Sequence, residues 1–453
     1  MAFAAALSIT ATAHAEAPLE AGKAAAAAPE GTPSGPTADR WDFYTSGRIG
    51  AFVSWAKGEG MPQATTLDVE TGMPLHQVKV GSGGSGYAVS SAHYQLKKDG
   101  TPSMVRVSEI DTMRMRSGFT GNVIGFGVRR KLGESTVTGY ISMTSVVDSQ
   151  AQKKYFLNYP DIREGFVRIE GGWGSFLAGK AAVLFNRGAV VTDFLYLHGY
   201  GVGFPGDLVS GGYPTAGQIG YGVLANGFAA GFVYATPPIA GAQLSVGLYD
   251  PASVTGGSYE RTKYPRGEFE LTVDEPLGSL GKAHLYFNGG YQNNYQQDKT
   301  DALTRAFYGL GYGGRVELGR FHLAAGGHWG KGLGLTYPGL PGETAQDDDS
   351  NLKMTDGYFV MAQVVVSHFD LNAGVGRTTI HPTDVERTAD PNNPTGDPKY
   401  SVLATQTGVS GAIVFHAADY LHFDIDVMHA DAEWNLGEHQ RIFYVNAGTT
   451  ITW

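Results

Sequence analysis

Charged residues placed by a period of two are the chemically telling feature of this sequence. Arg48, Arg114, Arg116, Arg168 and Lys180 sit at inward positions of successive alternating runs in the first part of the chain, and Glu268, Glu270, Asp274, Asp424 and Asp426 do so in later runs. Side chains at alternate strand positions share a face. Fixed charges along one face of a confined aqueous space with low-dielectric walls sort ions and dipolar solutes by sign. Competing chemistries are poorly supplied. The absence of cysteine excludes disulfides, thiol catalysis and thiolate metal sites. Thirteen histidines are present, but none is spaced i, i+4 on a helix or grouped with Cys; His322 and His328, and His416, His422 and His429, read as wall or rim residues, and the expected metal set is none. The run GVGFPG at 201–206 fits a dinucleotide-loop spacing, yet it lacks a βαβ context and contains Pro205, so it reads as a flexible loop. No Ser, His and carboxylate set is singled out by spacing, and a net charge of -10 argues against a nucleic-acid partner.

The elements that must position those charges are strands. Gly at 65 residues, aromatics at 11% and charged residues at 17% favour twisted sheet over helix, and no run of 18 apolar residues offers a membrane helix. From Phe43 onward about sixteen runs alternate, as in 420–426, where Leu421, Phe423 and Ile425 oppose His422, Asp424 and Asp426. Short turns are expected at 131–134, 171–174, 237–241, 276–281, 318–320, 368–370 and 417–419. Long connections are expected at 58–111, 147–162, 183–226, 251–264, 292–303, 330–355, 381–399 and 435–440. The two sizes alternate strictly, which a soluble sandwich has no reason to do and a transmembrane barrel does. The fold class read here is all-β: a transmembrane antiparallel β-barrel of about 16 strands at 41–453. Ahead of it, residues 1–15 read as a secretory leader ending in the small-x-small pattern at Ala13 to Ala15, although no Lys or Arg precedes the apolar part. Residues 16–40 read as an Ala/Pro-rich tether.

Several stretches resemble a known family. REGFVRIEGGWGSFLAGK at 163–180, YATPPIAGAQLSVGLYDP at 234–251, FGVRRKLGE at 126–134 and the terminal Trp453 are similar, in order and spacing, to the general diffusion porins of Gram-negative outer membranes. The resemblance implies a homotrimer of 16-stranded barrels in the outer membrane, contacts with lipid and lipopolysaccharide, recognition of the C-terminal strand by the barrel assembly machinery, and a pore narrowed by an inward-folded third loop. That loop would be 183–226, with only Asp193 and Asp207 as acids and the apolar stretch Phe194 to Leu197. Matching the motif residue by residue makes Arg163 the constriction arginine, whereas alternation selects Arg168 and a bulge could reconcile the two.

The combined expectation is a basic wall of Arg48, Arg114, Arg116, Arg163 or Arg168, and Lys180 facing the loop acids. The remaining carboxylates would occupy the other arc, and Trp453 would anchor the last strand at the periplasmic edge. Trp41, Tyr44, Trp55, Trp173, Tyr234, Tyr249 and Tyr420 suit two interfacial girdles. No cofactor is expected, apart from a divalent cation at the acidic loops 347–350 and 381–398. The function expected is passive diffusion of small hydrophilic solutes and ions, with a substrate-specific channel or a barrel enzyme as alternatives. Replacing Arg114 and Arg116 together with Glu is expected to move the reversal potential toward cations; an unchanged potential at intact conductance would remove both from the constriction.

Overall fold

The computed structural model describes residues 40–60, 77–79, 94–96, 102–104, 110–117, 121–145, 161–195, 217–251, 260–261, 264–296, 304–335, 345–347, 349, 351–389, 398 and 400–453. The leader at 1–15 and all but Arg40 of the tether lie outside them. The alternating runs become sixteen strands. The first five are β1 (Asp42–Gly58), β2 in two arms (Ile110–Arg116 and Asn122–Leu132), β3 (Ser135–Ser145), β4 (Asp161–Gly171) and β5 (Gly174–Ala182). Next come β6 (Phe228–Ala235), β7 (Ala242–Tyr249), β8 (Arg266–Pro276), β9 (Gly281–Gln296), β10 (Thr304–Leu318) and β11 (Phe321–Lys331). The ring is completed by β12 (Met354–Val366), β13 (Phe369–His381), β14 (Tyr400–Ala418), β15 (Leu421–Trp434) and β16 (His439–Thr452).

Every strand pairs antiparallel with the next, and β16 returns to β1 with Arg48 opposite Thr452 and Gly58 opposite Ile442. The result is a closed 16-strand barrel. The seven short turns join strands at one rim and the remaining connections join them at the other; the connection expected to be long at 435–440 is instead a tight turn at 435–438. A ring leaves no unpaired edge, which is the only way a sheet satisfies its backbone away from water. At the long-connection end, Gln77–Lys79 from the first connection lies parallel to 400–402 of β14.

The two faces differ as a lipid-spanning sheet requires. Phe232, Leu248, Leu285, Tyr312, Leu323, Val360, Val409 and Ile425 point outward and are exposed, while the alternate positions point inward and are mostly buried. The aromatic girdles need correction at two positions: Tyr44 and Tyr249 belong to the inward phase, and Tyr249 is buried there. Trp173 and Tyr234 do form part of an outer belt at the short-turn rim, with stacked rings and the Tyr234 hydroxyl donating to the Trp173 carbonyl at 2.9 Å. Trp453 seats its indole against Gly47, whose amide and carbonyl exchange hydrogen bonds with Trp453 at 2.9 and 3.1 Å.

Glycine on the inward face makes room for rings and backbone. A Cβ at Gly231 would lie 2.5 Å from the Leu248 carbonyl oxygen and 2.6 Å from the Tyr249 ring, whereas one at outward Gly165 would meet nothing within 4 Å. Gly231→Val is expected to destabilise the barrel by about 1–3 kcal/mol, and Gly165→Val to do far less. The midpoint of heat-induced band conversion on a detergent gel reads the difference; equal midpoints would show that Gly231 is not a packing constraint.

Candidate functional site

The interior is occupied by the third long connection. It leaves β5, turns through Asn186 in the left-handed region (φ 62°), forms a six-residue helix α1 (Arg187–Thr192), and returns along 217–227 to β6. Residues 196–216 lie outside the described residues, and with them Asp207, Tyr196, Leu197 and the GVGFPG motif. Leu184, Ile219, Val223 and Leu224 are fully buried. The loop packs Val190, Phe194, Leu195, Ile219 and Val223 against Tyr286, Ala324, Phe359, Met361 and Ala412 of the inward wall. Each large apolar side chain so buried contributes about 1.5–3 kcal/mol, so apolar contact holds the loop to the arc from β9 to β14.

Hydrogen bonds fix its register. The Phe185 amide donates to Glu268 Oε2 at 2.8 Å, the Asn186 amide to Asn288 Oδ1 at 3.1 Å, and the Gly222 amide to Thr378 Oγ1 at 2.9 Å. Gln406 Nε2 donates to the Gly220 carbonyl at 3.1 Å, and His328 Nδ1 meets the Gly222 carbonyl at 3.1 Å. Glycines permit this approach from both sides. A Cβ at Gly222 would sit 2.0 Å from the Tyr358 carbonyl oxygen, and one at Gly376 would sit 1.8 Å from that of Tyr221. Burial pushes the Tyr221 hydroxyl of the loop above the usual phenol range, so it stays neutral against Met428.

This arrangement reassigns the acidic residues. Glu268 and Glu270 face inward but do not stand free across a gap. Glu268 is held by Arg266 at 2.9 Å and by the loop amide, and Glu270 accepts from the Arg187 side chain of the loop. Asp193 is buried and clamps its own loop, accepting the Leu195 amide at 2.9 Å and the Gln218 amide at 2.6 Å. Among the described residues the loop therefore uses carboxylates as anchors, and Asp207 lies outside them. Asp274 lies nearer the short-turn rim, paired with His284 at 2.8 Å. Asp424 and Asp426 are inward and buried on β15, with Asn446 donating to Asp426 at 2.6 Å.

The basic residues divide as well. Arg48 points inward, is buried, and donates to the Gly121 carbonyl at 2.9 Å, where β2 breaks between its two arms. The positions of Arg114 and Arg116 lie opposite Ser54 and Phe52 of β1, in the phase opposite to outward-exposed Met113 and Met115; their side chains lie outside the described residues. Lys180 requires correction. It pairs with Gly165 and Ala230 in the outward phase of Ala178 and Phe176, and its ammonium donates to the Ile162 carbonyl at 2.7 Å. The register of β4 against β3 shifts between Ser142, opposite Glu164, and Met143, opposite Ile162, which leaves Arg163 as the extra, bulged residue. Its guanidinium lies 4.3 Å over the Phe228 ring. Arg168, beyond the bulge, is inward and lies over Phe166 at 5.3 Å.

Sequence reasoning missed Arg187, although it is the only Lys or Arg in 183–226. It also missed Glu164, which is inward, buried and hydrogen-bonded to Ser142 at 3.2 Å. At the acidic outer loops, Asp347 accepts from the Asn351 amide at 2.7 Å and from Thr383 at 2.7 Å, and Lys353 pairs with Glu386 at 2.5 Å, so these groups tie two connections together.

Asn288→Ala with Thr378→Val would strand the amides of Asn186 and Gly222, at about 1–3 kcal/mol each. The loop should then become cleavable by added protease while the ring stays resistant. A loop as resistant as in the unaltered protein would show that apolar packing alone anchors it.

No protein-family model matches the chain, and no curated protein matches it significantly. Solved structures do match. The outer-membrane channel DcaP of Acinetobacter baumannii superimposes with a TM-score of 0.58 at 12% identity, covering 92% of this chain and 99% of that one. The anion-selective porin from Comamonas acidovorans gives 0.54 at 10% identity, covering 91% and 100%. OmpT of Vibrio cholerae, as a loop-deletion mutant, gives 0.50 at 11% identity, covering 92% and 100%. At such identities the likeness is one of architecture, and the chain has the fold of the outer-membrane porins, a closed barrel of 16 antiparallel strands.

Proposed function

We propose that this protein is an outer-membrane porin of a Gram-negative cell, a water-filled channel for passive diffusion of small hydrophilic solutes and ions. The observation that carries this reading is a closed ring with an apolar outer face and an inward face of Arg, Glu, Asp, His and Asn, narrowed by a loop bonded to its wall. An apolar exterior suits lipid, and ionisable groups facing inward mark a polar pathway. The short-turn rim, with Trp173, Tyr234 and Trp453, is then periplasmic, and the long connections face outward from the cell. Passage depends on hydration and charge rather than on a bound intermediate, so no cofactor enters the mechanism.

The reading extends to a homotrimer in contact with lipid and lipopolysaccharide, delivered through the barrel assembly machinery by its C-terminal strand. Lys180 and the bulged Arg163, both near the outer rim, are suitably placed for phosphates of lipopolysaccharide. Among the described residues, His284 pairs with Asp274, His416 with Asp370, and His328 holds the loop.

Detergent-purified protein added to a planar bilayer should give stable conductance steps, grouped in threes if the assembly is trimeric. A folded, heat-modifiable barrel that conducts nothing would overturn the channel reading.

A further inference from the structure

We propose that Asp431, Glu433 and His439 form a binding site for a divalent first-row transition cation such as zinc, on the outward face of the last hairpin at the long-connection rim. The site is separate from the lumen and does not depend on whether the barrel conducts.

The argument begins with how the sequence brings three ligands together. Asp431 and Glu433 lie two positions apart on β15 and share a face, in the outward phase of exposed Phe423 and Ile425. The tight turn at 435–438 sets His439 directly opposite Glu433, and Arg441 opposite Asp431. That turn is held within itself and from β14: the Trp434 amide donates to the Glu438 carbonyl at 2.9 Å, and Asn435 Oδ1 accepts the Val402 amide at 2.8 Å. One imidazole nitrogen and one oxygen of each carboxylate thereby lie within 4.8 Å of one another. Among the described residues this is the only such grouping of three metal-ligating side chains.

The second step is what these groups have not already used. Asp431 Oδ2 accepts from Arg441 Nε at 3.3 Å, but Asp431 Oδ1 is buried and has no hydrogen-bond donor. A buried acceptor left without a donor is costly, and a cation removes that cost. His439 Nδ1 lies 4.0 Å from this oxygen, beyond hydrogen-bond range. Such a separation is close to twice a zinc–ligand bond of roughly 2.0–2.2 Å, so one ion between the two can touch both. Thr405 Oγ1 donates to Glu433 Oε2 at 3.2 Å and orients that carboxylate, as outer partners of metal ligands do. The neighbouring cation, Arg441, is 54% exposed and offsets one of the two carboxylate charges.

The donor set selects the ion. Magnesium and calcium favour shells made of oxygen, whereas an imidazole nitrogen beside carboxylates suits zinc and its first-row neighbours. Three protein ligands leave a coordination position open. The His439 side chain is 43% exposed, so the ion is loaded from the surrounding water. Bound there, it ties β15 to β16 across their turn.

The experiment is isothermal titration calorimetry of zinc chloride, and in parallel of magnesium chloride, into the detergent-purified full chain after treatment with a chelator. The proteins compared are the native chain, His439→Ala, Glu433→Gln, and His416→Ala with His422→Ala, which removes a second pair of close imidazoles whose Nδ1 atoms lie 2.8 Å apart. Heat-induced band conversion checks that each variant is a folded barrel. The native chain should bind zinc, with magnesium weaker by about ten-fold or more. His439→Ala and Glu433→Gln should each weaken zinc binding by about ten-fold or more, and the His416 and His422 variant should bind as the native chain does. No zinc binding, binding unchanged by both site substitutions, a loss confined to the His416 and His422 variant, or magnesium bound as tightly as zinc would each overturn the proposal. Calorimetry reads no conductance: a conducting barrel that binds no zinc overturns this proposal alone, and a zinc-binding barrel that conducts nothing overturns the channel reading alone.

Discussion

Close approach between a loop backbone and a glycine-bearing wall is the constraint on which the interior of this protein depends. Gly376 lets the Tyr221 carbonyl lie against β13, and Gly222 lets the loop itself lie against the Tyr358 carbonyl. Only at that distance can the loop amides reach Thr378, Asn288 and Glu268. With larger side chains at those points the loop would be lifted off the wall, and its buried amides would lose their partners at a cost comparable to the hydrogen bonds themselves. The high glycine content is thus tied to holding backbone against backbone inside a ring.

The same constraint explains the distribution of charge. A loop pressed against strands must satisfy its own donors there, and the carboxylates of β8 do so. Glu268 takes a backbone amide and Glu270 takes a side chain, so both are withdrawn from solvent. Arg266 is buried with Glu268, whereas the Arg187 side chain is more exposed than its partner Glu270. Function follows from which groups the fold has already used.

Much of the ring was legible in the sequence, because turns and alternation are local properties. The short turns fall where Gly, Pro and Asp cluster, and the strands between them keep phase. Lys180 went astray because both faces of β5 carry an apolar residue, Phe176 outward and Leu177 inward, so hydropathy does not set the phase and only pairing does. The bulge at Arg163 is equally silent, since an extra residue is defined by the register of β3 against β4. The roles of Glu268, Glu270 and Asp193 depend on where a long connection comes to rest, and period-two reasoning carries no information about that. Arg187 was visible as the one basic residue of that connection, but its neighbour Glu270 lies some eighty positions away.

The hydrogen bonds between Gly47 and Trp453 join positions separated by nearly the whole strand-forming chain. Until that seam forms, β1 and β16 each present a row of unpaired amides and carbonyls, and the ring exists only as a sheet with two open edges. Contacts of such long sequence separation pay their loop-closure entropy before any pairing rewards it. Closing the seam therefore carries the longest loop-closure cost of any pairing in the ring, and it brings the indole of Trp453 onto its glycine only when the two edges meet.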